Sequence, residues 1–209
     1  MLRRRGQPGD TLIEVLFAIT TFSLVVVTCL AIMNQGASAS IRSLQITNVR
    51  QEIDSQAETL RFLNSSYVSN YFSGYAPDTH DSATSPAEEY YKIIQNTGTN
   101  AVSAFSDNSS TDCPAIPNSS FVVNTRLARF EVYEAQKMVP AEVFSEVIYQ
   151  PSTGLVDESR GLWIEAVRSP ENPGRPRYID FHIRACWSSP GSNRPTNLGT
   201  IVRLYEPAA

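Results

Sequence analysis

The chain has 209 residues, of which 42% are hydrophobic and 18% charged, and a net charge of −4. The acidic balance argues against a general nucleic-acid binder, and the length suits one long helix with one soluble domain of modest core.

The chain opens Met-Leu-Arg-Arg-Arg-Gly-Gln-Pro-Gly, with three arginines and no acid. Without that opening, 14 basic and 21 acidic residues leave a balance of −7. Residues 15–33 follow without a single charge. As a helix they span roughly 28 Å, close to the thickness of a bilayer's hydrocarbon core. Thr20, Thr21, Ser23 and Thr28 are the polar members, and their hydroxyls can bond back to helix carbonyls. The arginines predict that the leading end stays cytoplasmic and the C-terminal bulk lies outside. Ala37-Ser38-Ala39 offers a competing reading, an ordinary secretory cleavage site, but the apolar run is longer than the usual signal.

Glu14 is the anomaly, a carboxylate at the mouth of the apolar run. An ionisable residue there is a functional candidate that needs a partner. Thr11-Leu12-Ile13-Glu14 also fits a capping box, in which both side chains satisfy free N–H groups at a helix start.

Beyond Met33 the residues Ile41, Leu44, Ile46, Val49, Ile53, Ala57, Leu60 and Leu63 recur at helical spacing and predict one apolar stripe. The helix is expected to run over 11–63, with a bend or local melting near Gly36 and a stop at Asn64-Ser65-Ser66. Residues 64–120 are rich in Ser, Thr, Asn and Asp and read mostly as loop, with tyrosines that would suit either packing or a sugar-facing surface. A short helix is expected over 86–95, capped by Ser85, with Pro86 first and Glu88 and Glu89 in its first turn. From Phe121 the pattern turns to strands, at 121–130, 143–149, 161–168, 177–187 and 199–205. Residues 132–138 are ambiguous between strand and helical turn. In the fourth strand Tyr178, Asp180, His182 and Arg184 alternate with Ile179, Phe181, Ile183 and Ala185, which predicts one buried face.

Chemistry is sparse. His80 between Asp78-Thr79 and Asp81 reads as a solvated loop, and His182 as a surface residue. No Cys-x-x-Cys pair, phosphate-cradling glycine loop or serine triad is legible. We expect no catalytic residue, no cofactor and no metal. Cys29 falls in the apolar run, whereas Cys113 and Cys186 are candidates for a disulfide in an exported domain. Seven arginines against four acids from Arg160 onward are read as scattered surface charge, although Arg175, Arg177 and Arg194 would be the groups to neutralise in a test for DNA binding.

Gly9-Asp10-Thr11-Leu12-Ile13-Glu14-Val15, behind a basic leader and ahead of a long apolar run, resembles the type IV prepilin signal. That family contains type IV pilins, minor pilins, the pseudopilins of type II secretion and the pilins of DNA-uptake machines. The resemblance implies that a prepilin peptidase cuts between Gly9 and Asp10 and methylates the new amine. It implies that Glu14, fifth in the mature chain, neutralises the amine of a neighbouring subunit, with Thr11 beside it in the assembly segment. The other implied partners are further pilin subunits, an inner-membrane assembly platform and the membrane itself before assembly. The Glu-Val-Leu-Phe-Ala continuation is closer to minor pilins and pseudopilins than to major pilins. Asp10 departs from the pattern, which places an apolar residue there. The implied fold is α+β: a leader (1–9), a long helix (10–63, membrane-spanning over 12–33), a variable connection (64–120) and an antiparallel sheet region (121–209). The implied location is the cytoplasmic membrane as a single-pass precursor, then an extracellular filament, with a non-polymerising anchored or secreted binding domain as the alternative.

Overall fold

The computed structural model describes residues 10–72, 85–96, 112–131, 137–170, 176–192 and 194–207. The chain is α+β: a long apolar N-terminal helix followed by a sheet region in which all but one of the strand pairings are antiparallel. It divides into two compact units, Met1–Ser43 and Leu44–Ala209. Helix α1 (Asp10–Phe72) contributes to both. The described part of the first unit is helix alone. Gly36 lies within the uninterrupted helix, so the expected melting there does not occur.

The second unit begins with the rest of α1. The expected stop at Asn64-Ser65-Ser66 is passed, and the helix continues to Phe72. Both polar side chains find partners that let it continue: Asn64 Nδ2 donates to the Tyr205 carbonyl (3.2 Å), and Ser65 Oγ to the Phe62 carbonyl (2.8 Å). Helix α2 (Pro86–Asn96) starts as expected, with a reciprocal cap between Ser85 and Glu88 at 3.3 Å each way. Tyr67 of α1 packs against Tyr90 and Tyr91 of α2, and Tyr90 against Phe181, so these tyrosines are core and clamp material.

Eight strands follow, β1 (Val122–Asn124), β2 (Arg129–Glu131), β3 (Met138–Val139), β4 (Glu146–Tyr149), β5 (Val156–Arg160), β6 (Leu162–Arg168), β7 (Tyr178–Trp187) and β8 (Thr196–Tyr205). They form three sheets with orders β1-β2, β3-β5-β4 and β6-β7-β8. Residues 121–130 are therefore a hairpin, not one strand. Asn124 turns it: its Oδ1 accepts from the N–H groups of Arg126 and Leu127 at 3.0 Å, and its Nδ2 donates to the Gly154 carbonyl. β3 runs parallel to β5, which makes the second sheet mixed. It also gives the ambiguous stretch a strand at Met138, while 132–136 lie outside the described residues. The third sheet is antiparallel throughout, with β7 and β8 paired over ten residues in unbroken register.

One core joins α1, α2 and the sheets, around Val49, Ile53, Leu60 and Leu63, Tyr90 and Ile93, Phe121 and Val123, Ile164, Phe181 and Val202. The apolar stripe on α1 differs from the expected one. Ile41 and Leu44 are exposed, and Gln45 and Gln56 are buried. Each glutamine has matched partners. Gln45 Oε1 accepts from Trp187 Nε1 (3.2 Å). Gln56 both donates to the Val123 carbonyl and accepts from the Val123 N–H, at 3.0 Å each, like a bridge between two strands. Gln56→Ala leaves both groups of Val123 unpaired in the core. We expect a loss of about 2–4 kcal/mol by thermal or denaturant unfolding; a loss under about 0.5 kcal/mol would mean that water replaces the amide.

Candidate functional site

The sequence places its functional signal in the first unit. From Leu12 to Gly36 every residue is exposed. Fourteen of them are large apolar side chains, among them Phe17, Phe22 and Leu24 at about 70% exposure each. The most apolar stretch of α1 has a mean hydropathy of 2.6, none of it buried, and the helix is long and apolar enough to cross a membrane. Thr20 and Thr21 donate to the Phe17 carbonyl at 2.9 Å, and Thr28 to the Val25 carbonyl at 2.8 Å. Their polar atoms are thus satisfied inside the helix, and the outer surface is left effectively apolar. Covering fourteen such side chains is worth on the order of 20 kcal/mol, and patches of this size mark surfaces that another body covers.

Glu14 is exposed at the start of this stretch. The helix begins at Asp10, so Thr11 is already inside it. Gly9 and the arginine leader lie outside the described residues. Ala37-Ser38-Ala39 lies within the same helix.

In the second unit, Cys113 and Cys186 are bonded, with S–S 2.04 Å and Cα–Cα 5.7 Å. The bridge ties the segment around Cys113 to β7, and the expected alternation of burial is lost toward the end of that strand. Arg184 and Cys186 are buried although they point away from the core face. Arg184 Nε lies 3.5 Å from Glu165 Oε1, which also accepts from Trp163 Nε1 at 2.9 Å. His182 is half-buried beside them. Burial, then Arg184, pushes its imidazole below the usual histidine value. A cleft of about 400 Å³ lies next to the disulfide, lined by Cys113, Ile116, Met138, Pro140 and Trp163. Its lining is mainly apolar, with Asp112 and Ser188 as polar members. Among the described residues no group of His, Cys, Asp and Glu has the proximity to hold a metal.

Arg177 lies 3.4 Å from Glu206, which also takes Arg168 in a two-point pair at 2.7 and 2.8 Å. Arg194 is exposed; Arg175, like His80, is outside the described residues.

Glu52 was not singled out by sequence. It sits on α1 close to Gln56, Glu146 and Arg126, and burial followed by Glu146 raises its carboxyl above 4.5, against the pull of Gln56 and Arg126. A raised carboxyl adds stability that is complete below the unfolded value and is lost as pH rises through the folded one. Glu52→Gln should therefore stabilise the domain at pH 7, with a gain that fades below about pH 4.5. An equal gain at both pH values in melting experiments would point to packing, not charge.

No protein-family model, curated protein or solved structure matches the chain.

Proposed function

We propose that the chain is a subunit of a type IV pilus or a related filament, most simply a minor pilin, cut after Gly9 by a prepilin peptidase and assembled through α1. One observation carries the reading: a charge-free helical surface, fully exposed from Val15 to Met33, with Glu14 at its start. Before assembly the bilayer covers that surface. After extraction the like helices of neighbouring subunits cover it, so it never faces water. Glu14 then sets the register by pairing with a neighbour's amino terminus, since a carboxylate among apolar helices is costly unless it is paired. The disulfide-tied second unit is carried outside.

The test is the mass of the natively expressed mature chain and of its first peptide. A start at Asp10 supports prepilin processing, and an added methyl on the amine supports the complete reading. A start at Ser40 or an intact Met1 would sink it in favour of a secreted or anchored domain.

A further inference from the structure

Strand β8 is the outermost strand of its sheet. Glu206 N–H donates to the Arg177 carbonyl at 2.9 Å, so Glu206 points its backbone groups toward the β7 side. By antiparallel alternation Leu204, Val202, Thr200 and Leu198 do the same, and Tyr205, Arg203, Ile201, Gly199 and Asn197 point theirs away from β7. The Tyr205 carbonyl is met by Asn64. Among the described residues no strand pairs with the other four. All five are exposed, Ile201 at 61% and Tyr205 at 52%.

Natural sheets usually blunt such an edge with proline, lysine, a bulge or an unpaired charge. β8 has no proline, no lysine and no register shift. Arg203 is its one charge, and Asp180 neutralises it in a two-point pair at 2.7 Å on the same face, with Tyr178 below the guanidinium. The edge is therefore long, flat and electrostatically quiet, a ready template for another strand.

We infer that β8 pairs with β8 of a second copy of this chain, antiparallel and centred on Ile201. The strand's outward pattern is complementary to itself, and among registers centred on an outward-facing residue it favours one. Centring on Ile201 uses the four open positions and the Tyr205 N–H, whose carbonyl Asn64 already meets, placing Ile201 against Ile201, Gly199 against Arg203 and Asn197 against Tyr205 of the other copy. Gly199 leaves a notch of about 410 Å³, lined by His182, Arg184, Asn197 and Ile201 among others. The other copy's Arg203 has room there. Centring on Arg203 would set like charges face to face, which is unfavourable. Centring on Gly199 would run the pair past Thr196 into Pro195, which has no N–H to give. This pairing does not depend on the filament reading, because it involves only the second unit.

Site-directed cross-linking tests it in the full-length chain in its membrane, with Cys29 replaced by Ala and one cysteine added at an exposed β8 position. Directly opposed residues have Cα atoms about 5.5 Å apart, within reach of a disulfide. Two copies of residue 197 would be about 27 Å apart in this register. Under mild oxidation Ile201→Cys should give about tenfold more covalent dimer than Asn197→Cys. Asn197→Cys mixed with Tyr205→Cys should regain the cross-link. Equal yields from the two single variants would mean random collision and overturn the pairing, as would no dimer from Ile201→Cys or no cross-link from the mixture.

Discussion

Gly161→Ala is expected to cost the second unit about 4 kcal/mol, and to lower its melting temperature by about 10 °C. Gly161 is where the chain leaves β5 for β6, passing from one sheet to another. Its φ is +60°, a region that strains a residue with a side chain. Space is the larger obstacle. A Cβ there would stand 2.5 Å from the Cys186 carbonyl oxygen and 2.6 Å from Ala141 Cβ. The backbone cannot move away freely. Gly161 N–H donates to the Val139 carbonyl at 2.7 Å, and its own carbonyl accepts from Cys186 N–H at 2.8 Å and from buried Ser145 Oγ at 2.9 Å. Shifting it would disturb both sheets and the residue that carries the disulfide. Gly154 is the control. Its φ is +69°, but the nearest atom to an added Cβ is 3.8 Å away on the flexible Leu127 side chain. Gly154→Ala should cost only the backbone strain, about 1 kcal/mol. Similar losses for the two variants in parallel melting curves would show that the crowding at Gly161 relaxes.

What was legible in the sequence was whatever depended on local pattern. A charge-free run of 19 residues can hardly be other than an apolar helix. Ser85 with Glu88 announces the start of α2, because the cap is made by residues three apart. The long strands β6, β7 and β8 show in their β-branched and aromatic residues. The misses depended on distant partners. Asn64 reads as a helix stop until the Tyr205 carbonyl is placed beside it. Gln56 reads as a surface residue until Val123 offers both a donor and an acceptor. β5, Val-Asp-Glu-Ser-Arg, has one apolar residue, and it is held as a strand by β3 on one side and β4 on the other. Arg184 looks like a solvent-facing member of an alternating strand, and its burial beside Glu165 shows only in the fold. In the candidate site the sequence named Glu14 and the apolar run. The full exposure of that run needed the fold.

On the filament reading, Glu14→Ala should leave cleavage after Gly9 intact and reduce incorporation about 100-fold. Between packed apolar helices an unpaired ammonium has no water to turn to. Removing its carboxylate leaves that charge with only its own Asp10 as an acid partner, a penalty of about 3 kcal/mol. Before assembly the same change is mild, because Glu14 lies near the edge of the apolar run. The substitution therefore separates insertion from assembly. The measurement is the ratio of the chain in sheared filaments to that in membranes, with the N-terminal mass recorded for both. An unchanged ratio would sink the pairing role of Glu14. Asp10 sharpens the test, since it stands where the prepilin pattern places an apolar residue. In the processed chain its carboxylate is next to the new amine and competes with Glu14 of the neighbour for that charge. Asp10→Phe should therefore raise incorporation and deepen the Glu14→Ala defect, because the amine would then have one acid partner instead of two. If both substitutions act as if the other were absent, Asp10 takes no part in the pairing.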